Sequence, residues 1–502
     1  MSVQSQPSPL ESLEPTSVWR FFAAMAAVPR PSRFEEKIQA HVRATAEELG
    51  FASRQDAAGN IVIDVPATPG HEDAPLTVLQ GHLDMVGEKN ADVDHDFERD
   101  PIRPVIDAEE GTGEPIVRAA GTTLGADNGI GVAMALAAAT SPDVVHGPLE
   151  ILCTSNEEMG MSGAMALEPG FFHGRRMLNL DSEEDDAIYI GCAGGTDVEL
   201  IWQMQTAPLP AAAEICHVSV GGLRGGHSGD NIHLNRANAI KLLAHVLGAE
   251  PGMALQLIEL NGGSKRNAIP REASAGVAGP AGTMKMLRQS ALEMQARAVR
   301  SNGEANCRIT VEKAREGSAA LAATVEDTHR LLSGLIAAPS GVVAIVPEIA
   351  GLVQTSNNIS IVETHHESGG GRFRLQAACL ARSSSPDDMQ MIVRQLAAVG
   401  HLAGATVEVG NSYPGWQPNL DSALLATAQR VYQELFEDEP GVAAIHAGLE
   451  CGIIGQRIGE MDMISIGPRI EGAHSPDERV YIKSVEKSYR YLIALLEELT
   501  RG

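Results

Sequence analysis

The sequence predicts an α/β fold: a mostly parallel sheet layered with helices and interrupted by an inserted α+β unit. Three observations carry this. Short apolar runs alternate with helical periods over roughly the first 190 residues, the pattern of a parallel sheet covered by helices. The texture changes near Cys192, where Gly191, Gly194 and Gly195 offer a hinge and a strand of alternating polarity follows. Apolar strand and helix patterns return after about residue 412, so the middle reads as an insertion and the chain divides into 1–195, 196–411 and 412–502.

The elements follow in order. An amphipathic helix is predicted over 33–49, then strand-like segments over 51–54 and 60–65. A short apolar strand over 76–80 ends at Gly81-His82-Leu83-Asp84. After a polar, Asp-rich excursion, Gly125-Ala126-Asp127-Asn128-Gly129 opens a helix to about residue 139, whose Gly and Ala content suits close packing on a sheet. A strand over 149–154 leads into Asn156-Glu157-Glu158, and one over 177–180 leads into Asp181. The middle part has the strand His217-Val218-Ser219-Val220, helices over 237–248 and 386–402, a polar stretch with helix over 288–313, and a strand over 405–409. The last part carries a helix over 422–435, a strand over 463–466 and a helix over 485–499.

At 502 residues the chain exceeds one ordinary core and can bury a sizeable interior. Lysine and arginine number 38 against 65 acidic residues, a net charge of −27 that repels phosphate backbones and anionic headgroups. Nucleic acid and membrane surfaces are therefore poor partners. Residues 1–15 are polar, contain Pro and Ser, lack a secretory pattern and read as a short flexible tail. The longest uncharged stretch, 331–347, is interrupted by Pro339 and two glycines and is too short to span a bilayer. Six cysteines are scattered without a CxxC pair, the usage of reduced thiols in a cytoplasmic protein.

Successive apolar runs stop at residues that bind metals: His82 with Asp84, Glu157 with Glu158, Asp181 and, after a loop, His474. In open α/β sheets ligands gather beyond the carboxyl ends of strands, so His82, Asp127, Glu157, Glu158, Asp181 and His474 are expected on one rim. Singly, each has a plainer reading: Asp127 as a helix N-cap, His82 as a core histidine, Asp181 as the head of a solvated acidic loop. Together they call for divalent cations, because unpaired carboxylates sharing a cleft repel and are costly to desolvate. Two imidazoles and several carboxylates suit zinc, with cobalt or manganese as other occupants.

These residues lie in longer matches to a known family. Gly81-His82-Leu83-Asp84-Met85-Val86, Gly121-Thr122-Thr123-Leu124-Gly125-Ala126-Asp127-Asn128-Gly129, Glu157-Glu158-Met159-Gly160 and Asn179-Leu180-Asp181-Ser182-Glu183 resemble the signatures of aminoacyl-histidine dipeptidases. These are also called cytosol non-specific dipeptidases or peptidase D, and are co-catalytic dizinc peptidases related to carnosinases and aminoacylases. The resemblance continues through Gly225-Gly226-His227-Ser228-Gly229, 266–272, 413–418, His446-Ala447-Gly448-Leu449-Glu450-Cys451-Gly452 and 472–478, and covers nearly the whole chain. Over 304–353 it is loose, and no contact is carried over there.

The resemblance implies that 1–195 and 412–502 form a catalytic domain and 196–411 a lid. Asp127 would bridge two metal ions, His82 and Asp181 completing one site and Glu158 and His474 the other. Glu157 would be the general base acting on a metal-bridging water, and Asp84 would orient His82. From the lid, His227 would help stabilise the oxyanion and Arg382 would hold a substrate carboxylate. Glu450 is left between reading the free amine of a dipeptide and a buried structural role. Dipeptides ending in histidine, carnosine among them, are the expected substrates, and the family resemblance implies a homodimer. The rivals are an aminoacylase, carboxypeptidase or tripeptidase of the same mechanism and, from another class, a metal-dependent binding protein without turnover.

Overall fold

The computed structural model describes residues 9–210, 212–248, 254–314, 321–347, 349, 351–366 and 372–501. The strands Thr77–His82 and Leu149–Thr154 are buried at every position, as strands covered on both faces must be. They pair in parallel with each other, Thr77–His82 also pairs in parallel with Arg176–Asn179, and Arg176–Asn179 does so with Asp462–Ser465. The complete order is Ala52–Gln55, Ile61–Val65, Leu149–Thr154, Thr77–His82, Arg176–Asn179, Asp462–Ser465, Ala187–Cys192, Gly441–Ile445. The α/β class holds, and the parallel pairs of defined register join the four central strands. Ala52–Gln55 and Ile61–Val65 make an antiparallel hairpin, and Ile61–Val65 runs antiparallel to Leu149–Thr154. Burial patterns alone do not reveal the direction of such short flanking strands.

The helix Ala126–Thr140 lies against this sheet with nearly every residue buried. Small side chains are a steric requirement here: a Cβ on Gly131 would come within 2.4 Å of the Leu180 carbonyl oxygen. The helix Thr16–Ala26 packs on it, and its Trp19, Phe22 and Met25 are each fully or almost fully buried. Burial of such large apolar side chains stabilises the fold by roughly 1.5–3 kcal/mol apiece.

Three expectations are corrected. The segment read as a flexible tail is ordered from Pro9, where the 3-10 turn Pro9–Ser12 buries Leu10; residues 1–8 lie outside the described residues. The Asp-rich excursion contains a hairpin, Pro104–Ala108 with Pro115–Ala119, that extends through Arg479–Tyr481 to Ile470–Glu471 as a four-stranded sheet. Its apolar content is only a few residues long, split by an acidic, glycine-containing turn, and so shows no period. The stretch 288–313 resolves into the long helix Thr283–Asn302 and the strand Arg308–Lys313, with a left-handed glycine at 303 ending the helix.

The chain divides into two units, one of 1–191, 418–444 and 449–502 and the other of 192–417 with 445–448. Against the expected boundaries, 412–417 stays with the second unit, because the strand Thr406–Tyr413 pairs with Gly194–Pro208 and Trp416 bridges to Cys192. Residues 445–448 join it through the Ala193 N–H, which donates to the Ile445 and Ala447 carbonyls. The second unit is α+β. Its ten-stranded sheet is antiparallel at each pair of defined register, and it carries the helices Ala239–Leu247, Thr283–Asn302, Val325–Ala337 and Pro386–Leu402. Gly194 and Gly195, read as a hinge, lie where a Cβ would strike the 413–415 segment at 2.5–2.7 Å, so they permit close strand packing. All six cysteines are buried, and no helix among the described residues is long and apolar enough to cross a membrane.

Candidate metal centre

Strand ends deliver the acids and histidines of the first unit to one place. His82 closes the strand Thr77–His82, Glu157 and Glu158 follow Leu149–Thr154, and Asp181 follows Arg176–Asn179. Asp127 lies at the mouth of the helix Ala126–Thr140, in non-helical backbone, and Gly125, not Asp127, occupies the N-cap position. His474 comes from a loop after Ile470–Glu471 and takes a left-handed φ of 63°, a conformation disfavoured for a residue with a Cβ and concentrated at functional sites.

Asp127 stands between the two imidazoles. Its Oδ1 lies 3.0 Å from His82 Nε2, which is also 3.4 Å from Asp181 Oδ1. Its Oδ2 lies 3.1 Å from His474 Nε2, which is also 2.9 Å from Glu158 Oε2. The donor atoms of His82, Asp127 and Glu158 all fall within 4.8 Å of one another. Glu158 Oε1 and Asp181 Oδ1 are buried without a hydrogen-bond partner among the described residues. Buried oxygens without donors, beside imidazoles, form a donor set that fits divalent cations of the zinc type.

The electrostatics agree with that fit. Burial pushes Glu158 up to about 7 and Asp181 up to about 6, in each case reinforced by the neighbouring Asp127 charge. Burial also holds Glu157 well above the carboxylate range, with Glu158, Asp181 and Glu450 adding to it against the opposing His82 charge. Hydrogen bonds to Asp127 and Glu158 raise His474 to about 11. For Asp127 itself burial acts upward, but hydrogen bonds from His474 and His82 prevail and hold it far below the usual range. A cluster of this kind holds excess negative charge that protons or metal ions neutralise.

Asp84 braces both sides of the centre. Its backbone carbonyl is 3.1 Å from His82 Nδ1, while its carboxylate accepts the Glu157 and Glu158 N–H groups at 3.0 and 3.2 Å and the Ser32 hydroxyl at 2.7 Å. Four supporting residues escaped the sequence reading of roles. Glu478 accepts four successive N–H groups, from Leu124 to Asp127, at 2.7–3.2 Å and so fixes the loop that presents Asp127. Arg30, 1% exposed, donates to the carbonyls of Leu83, Asp84 and Gly125 and ties that loop to the His82 strand. Glu35 accepts the Asn156 N–H at 3.1 Å, and Glu183 is raised to about 9, by burial and then by the charge of Asp127. Glu478 lies inside a quoted match but had no assigned task; Arg30, in a Pro-Arg-Pro run, carries no pattern that signals burial.

Glu450 is wholly buried in the first unit, accepting hydrogen bonds from Gln80 and Thr154, and burial raises it to about 8. His227 and Arg382 belong to the second unit. His227 Nδ1 is 2.9 Å from Asp230 Oδ2. Arg382, 4% exposed, donates from Nη1 to the Tyr413 hydroxyl at 3.1 Å and stands opposite Ser356 in the strand register. Ser356 Oγ is in turn 2.7 Å from His446 Nε2, and His446 is driven down to about 3 by burial and then by the Arg382 charge.

Residues 78–498 match the model of peptidase family M20/M25/M40. The chain is 42% identical over 496 residues, 98% of its length and 99% of the relative's, to a cytosol non-specific dipeptidase from Escherichia coli. Its structure is similar to an aminoacylhistidine dipeptidase from Vibrio alginolyticus at 39% identity and a TM-score of 0.85, with 98% of each chain covered. A tripeptidase from Staphylococcus aureus shares the fold at 15% identity and a TM-score of 0.58, over 98% of this chain and 100% of that one. A site of clustered acids and imidazoles at the strand ends, in a chain matched from residue 78 to residue 498, makes this protein a member of peptidase family M20/M25/M40 and a peptidase.

Proposed function

We propose that the protein is a metal-dependent dipeptidase that cleaves Xaa-His dipeptides such as carnosine together with other dipeptides. The observation that carries this reading is the Asp127 carboxylate with one oxygen on His82 and the other on His474. In this reading His82, Asp127 and Asp181 hold one divalent ion and Asp127, Glu158 and His474 the other, zinc being favoured by the donor set. Bound cations supply Lewis acidity, lowering the pKa of water and polarising the scissile carbonyl.

Glu157 takes the proton from the attacking water and delivers it to the leaving amine nitrogen. Asp84 keeps Glu157 and Glu158 in place through their N–H groups. The second unit serves as the lid, His227 stabilising the oxyanion and Arg382, buried and without a carboxylate on its guanidinium among the described residues, holding the substrate carboxylate. Glu450 is assigned to positioning Gln80 and Thr154 at the strand ends, in preference to a contact with the substrate amine. A cytoplasmic homodimer completes the reading, supported by the cytosolic relative and the resemblance.

The test is hydrolysis of alanyl-histidine and β-alanyl-histidine before chelation, after chelation, and after zinc, cobalt or manganese is restored. Cleavage that chelation abolishes and metal restores is expected. Persistent cleavage in chelator, or no cleavage of any dipeptide by metal-loaded protein, contradicts the reading.

A further inference from the structure

A cavity of about 640 Å³ opens in the first unit directly beside Glu158. Its apolar wall is made by Phe34, Met85, Val86, Phe97 and Met159. Phe34 and Met159 are 49% and 51% exposed, an unusual state for large apolar side chains that converge on one hollow. Two lysine side chains hold the loop that forms one wall. Lys37 Nζ donates to the Glu98 carbonyl at 2.7 Å and Lys89 Nζ to the His95 carbonyl at 2.8 Å, pinning the 95–98 loop. Within that loop the His95 and Phe97 rings meet edge to face at 4.5 Å. Phe97 also packs over Gly87 so closely that a Cβ there would lie 2.9 Å from the ring.

The charged lining has one sign. Asp96 and Glu98 border the cavity in addition to the candidate metal ligand Glu158, and no lysine or arginine is among the described residues that line it. His95 contributes a ring nitrogen, Nε2, that is buried without a hydrogen-bond partner among the described residues. An acidic border attracts an ammonium and repels a carboxylate. Of a dipeptide's two ends it therefore favours the residue with the free amine. That residue also carries the scissile carbonyl, and its side chain leaves from the atom next to that carbonyl, so a hollow that shares Glu158 with the candidate metal set is within its reach.

Resting on the dipeptidase reading above, we infer that this cavity is the specificity pocket for the side chain of the substrate's amine-bearing residue and prefers large apolar side chains, such as those of Met and Leu, to none. The depth of preference is set by contact with Phe34 and Phe97. Apolar pockets of this type discriminate by roughly 10–200-fold per missing methylene-sized contact.

The experiment compares kcat/KM of wild type, Phe34→Ala and Phe97→Ala on two series of dipeptides. One varies the amine-bearing residue (Gly-His, Ala-His, Met-His, Leu-His), and the other varies the carboxyl-terminal residue (Ala-Gly, Ala-Leu, Ala-Phe). Phe34 is half exposed, so its replacement leaves the fold intact even if the Phe97 variant does not fold. The expected result is that wild type prefers Met-His and Leu-His to Gly-His and that Phe34→Ala lowers this preference about tenfold. The carboxyl-terminal series should keep its wild-type ratios. Equal losses on every substrate, or a selective loss in the carboxyl-terminal series, overturns the pocket assignment while leaving the dipeptidase reading in place. Failure of wild type to cleave any dipeptide overturns both.

Discussion

His82 and His474, nearly four hundred residues apart in sequence, grip opposite oxygens of one carboxylate: Nε2 of each lies 3.0 and 3.1 Å from Asp127 Oδ1 and Oδ2 respectively. In the proposed two-ion arrangement a carboxylate so placed would serve both ions, so Asp127→Ala should empty both sites and not one. Metal analysis of the purified variant is expected to find neither cation retained, and activity on alanyl-histidine to fall by more than about 100-fold. A variant that keeps one full equivalent would show that Asp127 serves only one half.

Glu157 should separate chemistry from metal binding. Glu157→Gln keeps the size and a hydrogen-bonding oxygen but cannot take a proton, so kcat should drop by roughly 10²–10⁴-fold while metal content stays at the wild-type level. Single-turnover kinetics beside metal analysis checks this, and full activity would remove Glu157 from the mechanism.

Asp84→Asn tests positioning. The amide can keep only part of the set formed by the Glu157 N–H, the Glu158 N–H and Ser32, because one of its two acceptors becomes a donor. Metal affinity should weaken by about 10–100-fold, with activity recovering at high metal concentration. Recovery is the readout that sets positioning apart from a direct part in the reaction.

Glu478→Ala strips acceptors from four N–H groups at once, three of them buried. Chelated protein should lose about 2–3 kcal/mol in denaturant titrations, the order expected for orphaned buried donors, and metal affinity should fall as the Asp127 loop loosens. An unchanged midpoint would mean that water replaces the carboxylate.

Acid stability gives a fifth handle, this one in the second unit. His446 is ordinarily near 6.5 but is held to about 3 in the folded chain, by burial and then by Arg382. The unfolded chain therefore binds more protons between those values, so this residue's contribution is complete above pH 6.5 and erodes as pH falls toward 3. The slope it adds is at most about 1.4 kcal/mol per pH unit. Denaturant titrations at pH 7, 6, 5 and 4 should show a shallower decline for His446→Gln than for wild type; identical slopes would exclude His446 as the source.

The strand ends were legible because each chemistry-bearing residue follows an apolar run: His82 after 77–81, Glu157 and Glu158 after Leu149–Thr154, Asp181 after Arg176–Asn179. Their convergence was not, since no local pattern states which ends adjoin. The supports were less visible still. Arg30 is buried although an arginine in a Pro-rich run reads as surface, and Glu478 acts on backbone atoms more than three hundred residues away. The hairpin at 104–119 was hidden by its shortness, and the antiparallel flanks of the first sheet by strands whose burial is the same in either direction. Elements with a full helical period fared best: the helix over 386–402 coincides with Pro386–Leu402, where Ser385 accepts the Asp388 N–H as N-cap.

The most direct measurement is a titration of chelated protein with zinc, following bound metal and alanyl-histidine hydrolysis in the same samples. Binding should saturate at two equivalents per chain, with full activity only when both are bound. Saturation at one equivalent with full activity, or hydrolysis that proceeds with none, would contradict a centre shared across Asp127.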